Sequence, residues 1–415
     1  MRILIASEHR MLVGGVEKYL QAVIPGLLDR GHDLALLHEH PVNPGAETID
    51  PPVGSLETWC VAQLQAQGAL DSVEEWKPDV VYLHGLESAS LEAALGNAYP
   101  TVLYAHNYDR TCGSGTKCHA FPNPRPCNRR LGAMCLLLHY PRRCGGWHPG
   151  ITWRRFRRHT QLNSQLPDHR AILVASAHMY REFQQHGVSR DKLRLVPLPT
   201  TDSTPKATAP APHSETGGIL FVGRLTDIKG VHYLIRAIPG AAARLGRPLT
   251  LTVAGDGPER RKLEDLAHRL GVAAKFMGWV HTPQKLELMR QAELLAVPSL
   301  WPEPFGLVGI EAGSLGLPAV AYAVGGVTDW LIAGETGEPA PGDPPTVAGL
   351  TEAIVRALAD RHHYGKLCLG AWKLTQRFTV ESHIAQLEAI LGAEPVPAGT
   401  TQFAVPRNPL RTYES

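Results

Sequence analysis

Short, nearly continuous apolar runs recur along this chain with room for one helix between most successive pairs. No other feature restricts the possible folds as strongly. In the first half the runs are RILIA, DLALLH, DVVYLH, TVLYAH, AILVAS and LRLVPL; in the second they are GILFVG, LTLTVAG, KFMGWV, ELLAVPS and PAVAYAV. Strands of this kind, alternating with helical patterns such as residues 16–29, build parallel, doubly wound sheets covered on both faces. The two series are separated by TTDSTPKATAPAPHSETG, whose Pro, Ser, Thr and Ala content predicts an interdomain linker. Two α/β domains are therefore expected, which suits 415 residues, because a single core rarely grows that large. Ligands of such sheets bind beyond the carboxyl ends of the strands, so a cleft between the two domains is the expected place for chemistry.

Composition excludes some functions. With 44% apolar and 19% charged residues and a net charge of +2, the chain has the make-up of a soluble globular protein. The N-terminal apolar run is too short for a signal peptide, and no stretch of 18 apolar residues is present to span a membrane. Seven cysteines, an odd number without a secretory signal, point to a reducing cytosol. Charge is concentrated between Thr101 and Thr160, where eleven Lys or Arg face the single acid Asp109. That run is either a solvated basic face or a surface for an anionic membrane or acidic acceptor. Nucleic acid is not expected, since no binding motif accompanies the charge.

Four loops follow strand ends. Gly14 and Gly15 open the first helix, where paired glycines let a backbone approach an anion or simply make a tight turn. In FVGRLTDIKG, Arg224 and Lys229 could clamp a diphosphate and stabilise it as a leaving group, or be solvated charges. Gly255-Asp256-Gly257 reads as a sharp structural turn into a helix, whose backbone could also line a base pocket. The fourth loop, WPEPFGLVGIE, sets Glu303 and Glu311 eight residues apart. On a single helix that spacing is about 12 Å and roughly 80° of rotation, unlike the facing carboxyls of a glycosidase at roughly 5–9.5 Å. Two handles on one long ligand are the better expectation.

The EPFGLVGIE stretch resembles the E-x7-E signature of retaining, nucleotide-sugar-dependent glycosyltransferases. With VGRLTDIKG, VAGDGPERRKL, GLPAVAYAVGG and GGVEKYL in the same order, the chain resembles glycosyltransferase family 4 over about residues 1–392. The resemblance implies an α/β GT-B fold, two Rossmann-like doubly wound domains facing a central cleft. The N-terminal domain (1–200) would bind the acceptor, a linker would span 201–217, and the donor domain would span 218–376. A helix at 377–392 would cross back to the first domain, and a disordered tail would occupy 393–415.

For the site, the resemblance implies that Glu303 holds donor-sugar hydroxyls and Glu311 the ribose. Gly306, Leu307 and Val308 would offer backbone N–H groups to the diphosphate, with Arg224, Lys229, Gly14 and Gly15 completing the site. His106, in YAHNYD, matches a family histidine near the reacting sugar; His84, in VYLHG, has a similar setting. No cofactor is expected for catalysis. The expected activity is retaining transfer from a UDP- or GDP-sugar to a glycan or lipid-linked acceptor of envelope or exopolysaccharide synthesis. The expected location is the cytoplasm, with peripheral attachment at the inner face of the membrane. An epimerase or hydrolase on the same fold, and a metal-organised sugar-nucleotide binder without turnover, are the alternatives.

Two departures from the family pattern stand out. The strand before the linker runs into VPLPTTDS in place of an Asn-Gly-Val-Asp turn. An insertion at about 110–146 carries Cys112, Cys118, Cys127, Cys135 and Cys144 among Pro, Gly and Arg. Structural zinc is the first expectation for these thiols, then an iron–sulfur cluster, disulfides or unrelated cysteines; the lack of a C-x2-C pair leaves the choice open.

Overall fold

A computed structural model describes residues 1–51, 56–200 and 218–393. The expected linker, 201–217, and the expected tail from residue 394 onward lie outside the described residues. Contacts divide the chain into two compact units. The first comprises Met1–Thr111, Arg158–Pro197 and the described part of Ile384–Ser415; the second comprises Cys112–Arg157 and Leu198–His383.

The first unit contains strands β1 (Arg2–Ser7), β2 (Asp33–His38), β3 (Glu57–Cys60), β4 (Val80–Leu83) and β5 (Thr101–Ala105). After the insertion, which holds β6 (Cys118–His119) and β7 (Arg125–Pro126), come β8 (Ala171–Val174) and β9 (Leu193–Leu195). Seven of them form a parallel sheet in the order β3-β2-β1-β4-β5-β8-β9. The chain reverses direction across the sheet between β1 and β4, where Leu4 lies between Ala35 and Val81. Residues Ile3 to Ala6 are fully buried, as a central strand covered on both faces requires.

The helix Gly15–Asp29 buries Tyr19, Leu20, Val23, Ile24 and Leu27, a stripe at helical spacing. The last helix, Val380–Leu391, buries Ile384, Leu387 and Leu391. Its part from Ile384 belongs to this unit: Ile384 occupies the space a side chain at Gly26 would need, Glu388 pairs with Arg30 and His32, and Arg170 donates to the Leu391 carbonyl at 2.8 Å.

The second unit holds β10 (Ile219–Val222), β11 (Leu251–Ala254), β12 (Ala274–Gly278), β13 (Leu294–Val297), β14 (Ala319–Tyr322) and β15 (Gly337–Ala340). They form a parallel sheet in the order β12-β11-β10-β13-β14-β15. Its core joins Phe221, Val253, Leu294 and Val320 from the strands to Leu234, Ile238, Leu350 and Ile354 from the flanking helices.

The sequence boundaries assigned the cysteine-rich insertion to the N-terminal domain, but by its contacts residues 112–157 group with the second unit. The Cys118 thiol donates to the Leu300 carbonyl at 3.6 Å, and Arg125 donates to Asp343 at 2.9 Å. Chain adjacency to β5 suggested the other grouping, and these long-range bonds overrule it.

Candidate functional site

In the second sheet the direction changes between β10 and β13, so the loops that leave the carboxyl ends of these two neighbours converge. The β10 loop carries Arg224 and Lys229, and the β13 loop carries Ser299 and Glu303. Lys229 Nζ lies 2.6 Å from Glu303 Oε1, and the Ser299 hydroxyl donates to the same oxygen at 2.6 Å. Burial pushes the Glu303 carboxyl up, but the Lys229 charge and hydrogen bonds from Lys229, Ser299 and Trp301 outweigh it and hold the group below its ordinary value. Glu303 is therefore a carboxylate at neutral pH, aimed at a cationic partner. The Lys229 ammonium also lies 5.4 Å from the Trp301 ring centroid.

These side chains border a pocket of about 170 Å³ lined by Phe221, Lys229, Ser299, Glu303, Gly306 and Leu307 among others. Gly306 caps the helix Leu307–Ser314 in the left-handed region, at φ 83°, a conformation that favours glycine. Unsatisfied N–H groups of that first turn, together with the helix dipole, make this end of the pocket attractive to an anion. The loop is held from behind: Trp330 donates to the Phe305 carbonyl at 2.7 Å, and Gly326 donates to the Glu303 carbonyl at 2.6 Å. The Gly255-Asp256-Gly257 turn is structural. A Cβ at Gly257 would lie 2.4 Å from the Leu225 carbonyl oxygen, and Leu225 donates to the Asp256 carbonyl, so this turn seats the cationic loop.

Lys229, Glu303, Gly306, Leu307 and Val308 are thus brought together. Arg224, on the same loop as Lys229, is exposed. Glu311 is buried, and its carboxylate lies 3.0 Å from the Lys285 ammonium. Sequence reading missed Ser299 and Lys285, because a serine in a loop and a lysine on a helix carry no local sign of a partner. The serine's place four residues before Glu303 was the available hint.

The remaining expected residues belong to the first unit. Gly14 and Gly15 begin the first helix; the Gly14 amide donates to Glu17 at 2.8 Å, and a side chain at Gly15 would meet nothing within 4 Å. Packing therefore does not demand a glycine at 15. His84 and His106 extend from the ends of β4 and β5, and His84 Nδ1 lies 2.9 Å from His106 Nε2, so one proton is shared between those nitrogens. His106 stacks on Tyr104, and His84 meets Tyr82 edge-on. Tyr82 in turn shares a buried 2.6 Å hydrogen bond with Tyr19. Burial keeps all three phenols protonated, well above their usual range. Beyond β1, Glu8, His9 and His40 bring ligand-type atoms within 4.8 Å of one another, with the two rings stacked.

In the insertion none of the five cysteines forms a disulfide. Burial and then the neighbouring thiols push Cys118 and Cys144 up to about 12, so at neutral pH they are thiols and not nucleophiles.

Two family models match the chain in tandem: Glycosyltransferase Family 4 over residues 13–201 and Glycosyl transferases group 1 over residues 208–368. Among curated relatives, the glycogen synthase of Mycobacterium tuberculosis is 25% identical over 393 residues, covering 87% of this chain and 86% of the relative. The D-inositol 3-phosphate glycosyltransferase of Nocardia farcinica is 31% identical over 233 residues, covering 50% of this chain and 51% of the relative. Among solved structures, Anabaena HepE in complex with UDP and glucose superposes with a TM-score of 0.66 at 19% identity, covering 94% of this chain and 99% of that one. WaaG, a glycosyltransferase involved in lipopolysaccharide biosynthesis, gives 0.62 at 18% identity, covering 94% and 100%.

Fold and matches together define a GT-B glycosyltransferase, built from two Rossmann-like domains. The cationic and acidic loops at the switch point lie where such a domain binds its ligand. Glycosyltransferase family 4 is the family whose model matches the chain's first half.

Proposed function

We propose that this chain is a retaining glycosyltransferase that moves a sugar from a UDP- or GDP-sugar to a glycan or lipid-linked acceptor. The observation that carries the reading is the Lys229–Glu303–Ser299 cluster beside the Gly306-capped helix, at the switch point of the second sheet. A nucleotide sugar offers two features that such a cluster suits: hydroxyls for a fixed carboxylate, and a diphosphate for cations and helix N–H groups. Relatives and neighbours whose names include glycogen synthase and a UDP complex lend the donor class support.

In the proposed reaction the acceptor hydroxyl oxygen bonds to the anomeric carbon on the face from which the diphosphate departs. The bond from that carbon to the phosphate oxygen breaks, and the acceptor proton passes to the leaving phosphate. Arg224, Lys229 and the N–H groups of Gly306, Leu307 and Val308 stabilise the charge that collects on the diphosphate, a role assigned to these groups in place of a divalent ion. Glu303 orients the sugar. Glu311 takes the ribose only by sharing a carboxylate that Lys285 already holds. To Gly14, Gly15 and His106, in the first unit, the reading assigns the roles at the donor that the family resemblance implies; His84 is hydrogen-bonded to His106.

For the acceptor, the reading is a lipid-linked glycan met at an anionic membrane surface from the cytoplasmic side. No helix among the described residues is long and apolar enough to cross a membrane. The stretch 112–157 instead exposes Phe121, Leu137, Trp147, Ile151 and Trp153, and Arg143 lies over both the Phe121 and Trp147 rings. Amphipathic aromatics next to arginines suit a headgroup interface.

Thermal-shift and turnover screens against UDP- and GDP-sugars, with wild type and Glu303→Gln, test the donor reading. Stabilisation by one donor, with product formation that needs both an acceptor and Glu303, supports it. Acceptor-independent conversion would favour an epimerase or hydrolase instead. Failure to sediment with phosphatidylglycerol vesicles at low salt would remove the membrane part.

A further inference from the structure

Between residues 112 and 157 the segment has almost no hydrophobic core. Cys118 is the one apolar side chain there that is buried, whereas Phe121, Met134, Leu137, Trp147, Ile151 and Trp153 are all exposed. Its regular structure is slight: two two-residue strands, one six-residue helix and the start of the helix Pro149–Ser164. Modules of this size without a core are normally stapled, by disulfides or by metal.

The staple's location is visible. Cys112, Cys118, Cys127, Cys135 and Cys144 all line one cavity of about 30 Å³, together with His119 and His139. That volume admits something of atomic or small-cluster size and excludes an organic cofactor. The sequence could not reveal this convergence, since the five cysteines are spread over 33 residues with no paired spacing.

The thiols converge without closing on one point: among the described residues no three ligand atoms of this group lie within 4.8 Å of one another, so binding one tetrahedral ion requires the loops to draw in. Cys144 Sγ and His119 Nδ1 are 3.5 Å apart. A tetrahedral zinc ion, with bonds of about 2.3 Å to sulfur and about 2.0 Å to nitrogen, sets such a pair roughly 3.5 Å apart. The Lys117 backbone N–H donates to Cys112 Sγ at 3.3 Å, the kind of support that thiolate ligands receive from their own loop. A four-thiolate centre carries negative charge, and the segment supplies nine Lys or Arg and no Asp or Glu. His119 and Arg129 line the cavity itself.

We infer that these cysteines, with His119 and His139 available as further ligands, hold a thiolate-ligated metal centre that props the donor-site loop. The link is direct: Cys118 donates to the Leu300 carbonyl, and Leu300 is bonded through its own N–H to the Ile228 carbonyl. Ser299 and Lys229, two of the partners of Glu303, are the immediate neighbours of Leu300 and Ile228. This coupling rests on the donor-site reading; the metal itself does not.

The test uses the full chain purified anaerobically without chelator or affinity metal. Zinc, iron and acid-labile sulfide are quantified, and the visible spectrum distinguishes an iron–sulfur cluster from colourless zinc. Near one zinc per chain, or iron with matching sulfide, is expected. Double replacement of Cys127 and Cys144 by Ser should lower metal content at least fivefold, whereas Cys60→Ser and Cys368→Ser, outside the segment, should retain it. Stripping the metal should open residues 112–157 to limited proteolysis and weaken donor binding. Wild-type protein with under a tenth of a metal per chain and five freely titrating thiols would overturn the inference, as would intact-mass evidence of disulfides among them. Metal present without any effect of stripping on donor affinity would reject the coupling alone.

Discussion

Replacing Lys229 by Met keeps most of the side-chain stem and removes the charge that holds Glu303 ionised. In the native protein the Glu303 carboxyl lies below its ordinary 4.5, since Lys229 and the hydrogen bonds around it outweigh burial. Its contribution to stability is therefore present above the unfolded value and lost as pH falls through the lowered folded value. In the variant, burial prevails and the folded value rises above 4.5, so the sign reverses: the group destabilises the fold at neutral pH, and acidification through the raised value relieves the penalty. Breaking a buried pair costs about 3–5 kcal/mol, and the lower end, roughly 3 kcal/mol, applies because the Lys229 side chain keeps 25% of its exposure. At about 2–4 °C per kcal/mol for a domain of this size, the melting point at pH 7 should fall by roughly 6–12 °C.

Thermal melts of both proteins at pH 7, 5.5 and 4.5 are the assay. The gap should narrow on acidification by about 1.4 kcal/mol for each unit by which the two folded values differ. Turnover should fall roughly 30- to 1000-fold, the equivalent of about 2–4 kcal/mol of lost stabilisation of the leaving diphosphate. A melting-point gap that stays constant from pH 7 to 4.5 would refute the electrostatic reasoning, whatever happens to turnover.

Three further outcomes are expected. Glu92 is fully buried with both oxygens 2.6 Å from Arg110; burial raises its carboxyl, but Arg110 and then His169 bring it from 4.5 down to about 2. That pair contributes about 3 kcal/mol above pH 4.5, lost progressively towards pH 2, and urea titrations of wild type and Glu92→Gln should converge over that window. Gly309→Ala places a Cβ 2.2 Å from the Trp330 ring, so it should cost about 1–3 kcal/mol in a denaturation midpoint, with partial recovery in combination with Trp330→Phe. Gly15→Ala, in open space at a helix start, should leave stability unchanged or raise it by up to about 1 kcal/mol while lowering turnover; unchanged turnover would remove Gly15 from the donor site.

Much of the fold was readable from local pattern. All eleven apolar runs coincide with strands; the helix expected over 16–29 spans Gly15–Asp29, and the one expected over 377–392 is the shorter Val380–Leu391. The strands that escaped notice are edges or parts of the insertion. Glu57–Cys60 and Gly337–Ala340 each have one neighbour in their sheet, and the latter contains Pro339, which only an edge tolerates without losing a ladder bond. Such strands need no long apolar run, and so leave a weak trace in sequence.

The sequence by itself determined which loops carry charge and glycine, because strand ends and helix starts are set by residues close together in the chain. Only tertiary structure decided which of those loops meet. Lys229 and Glu303 are 74 residues apart and become partners because β10 lies next to β13. The same holds for Lys285 with Glu311, for His84 with His106, and for five cysteines around one cavity. Periodicity reports burial one element at a time, whereas a site is made by the order of strands in a sheet, and that order is a free-energy minimum of the whole domain.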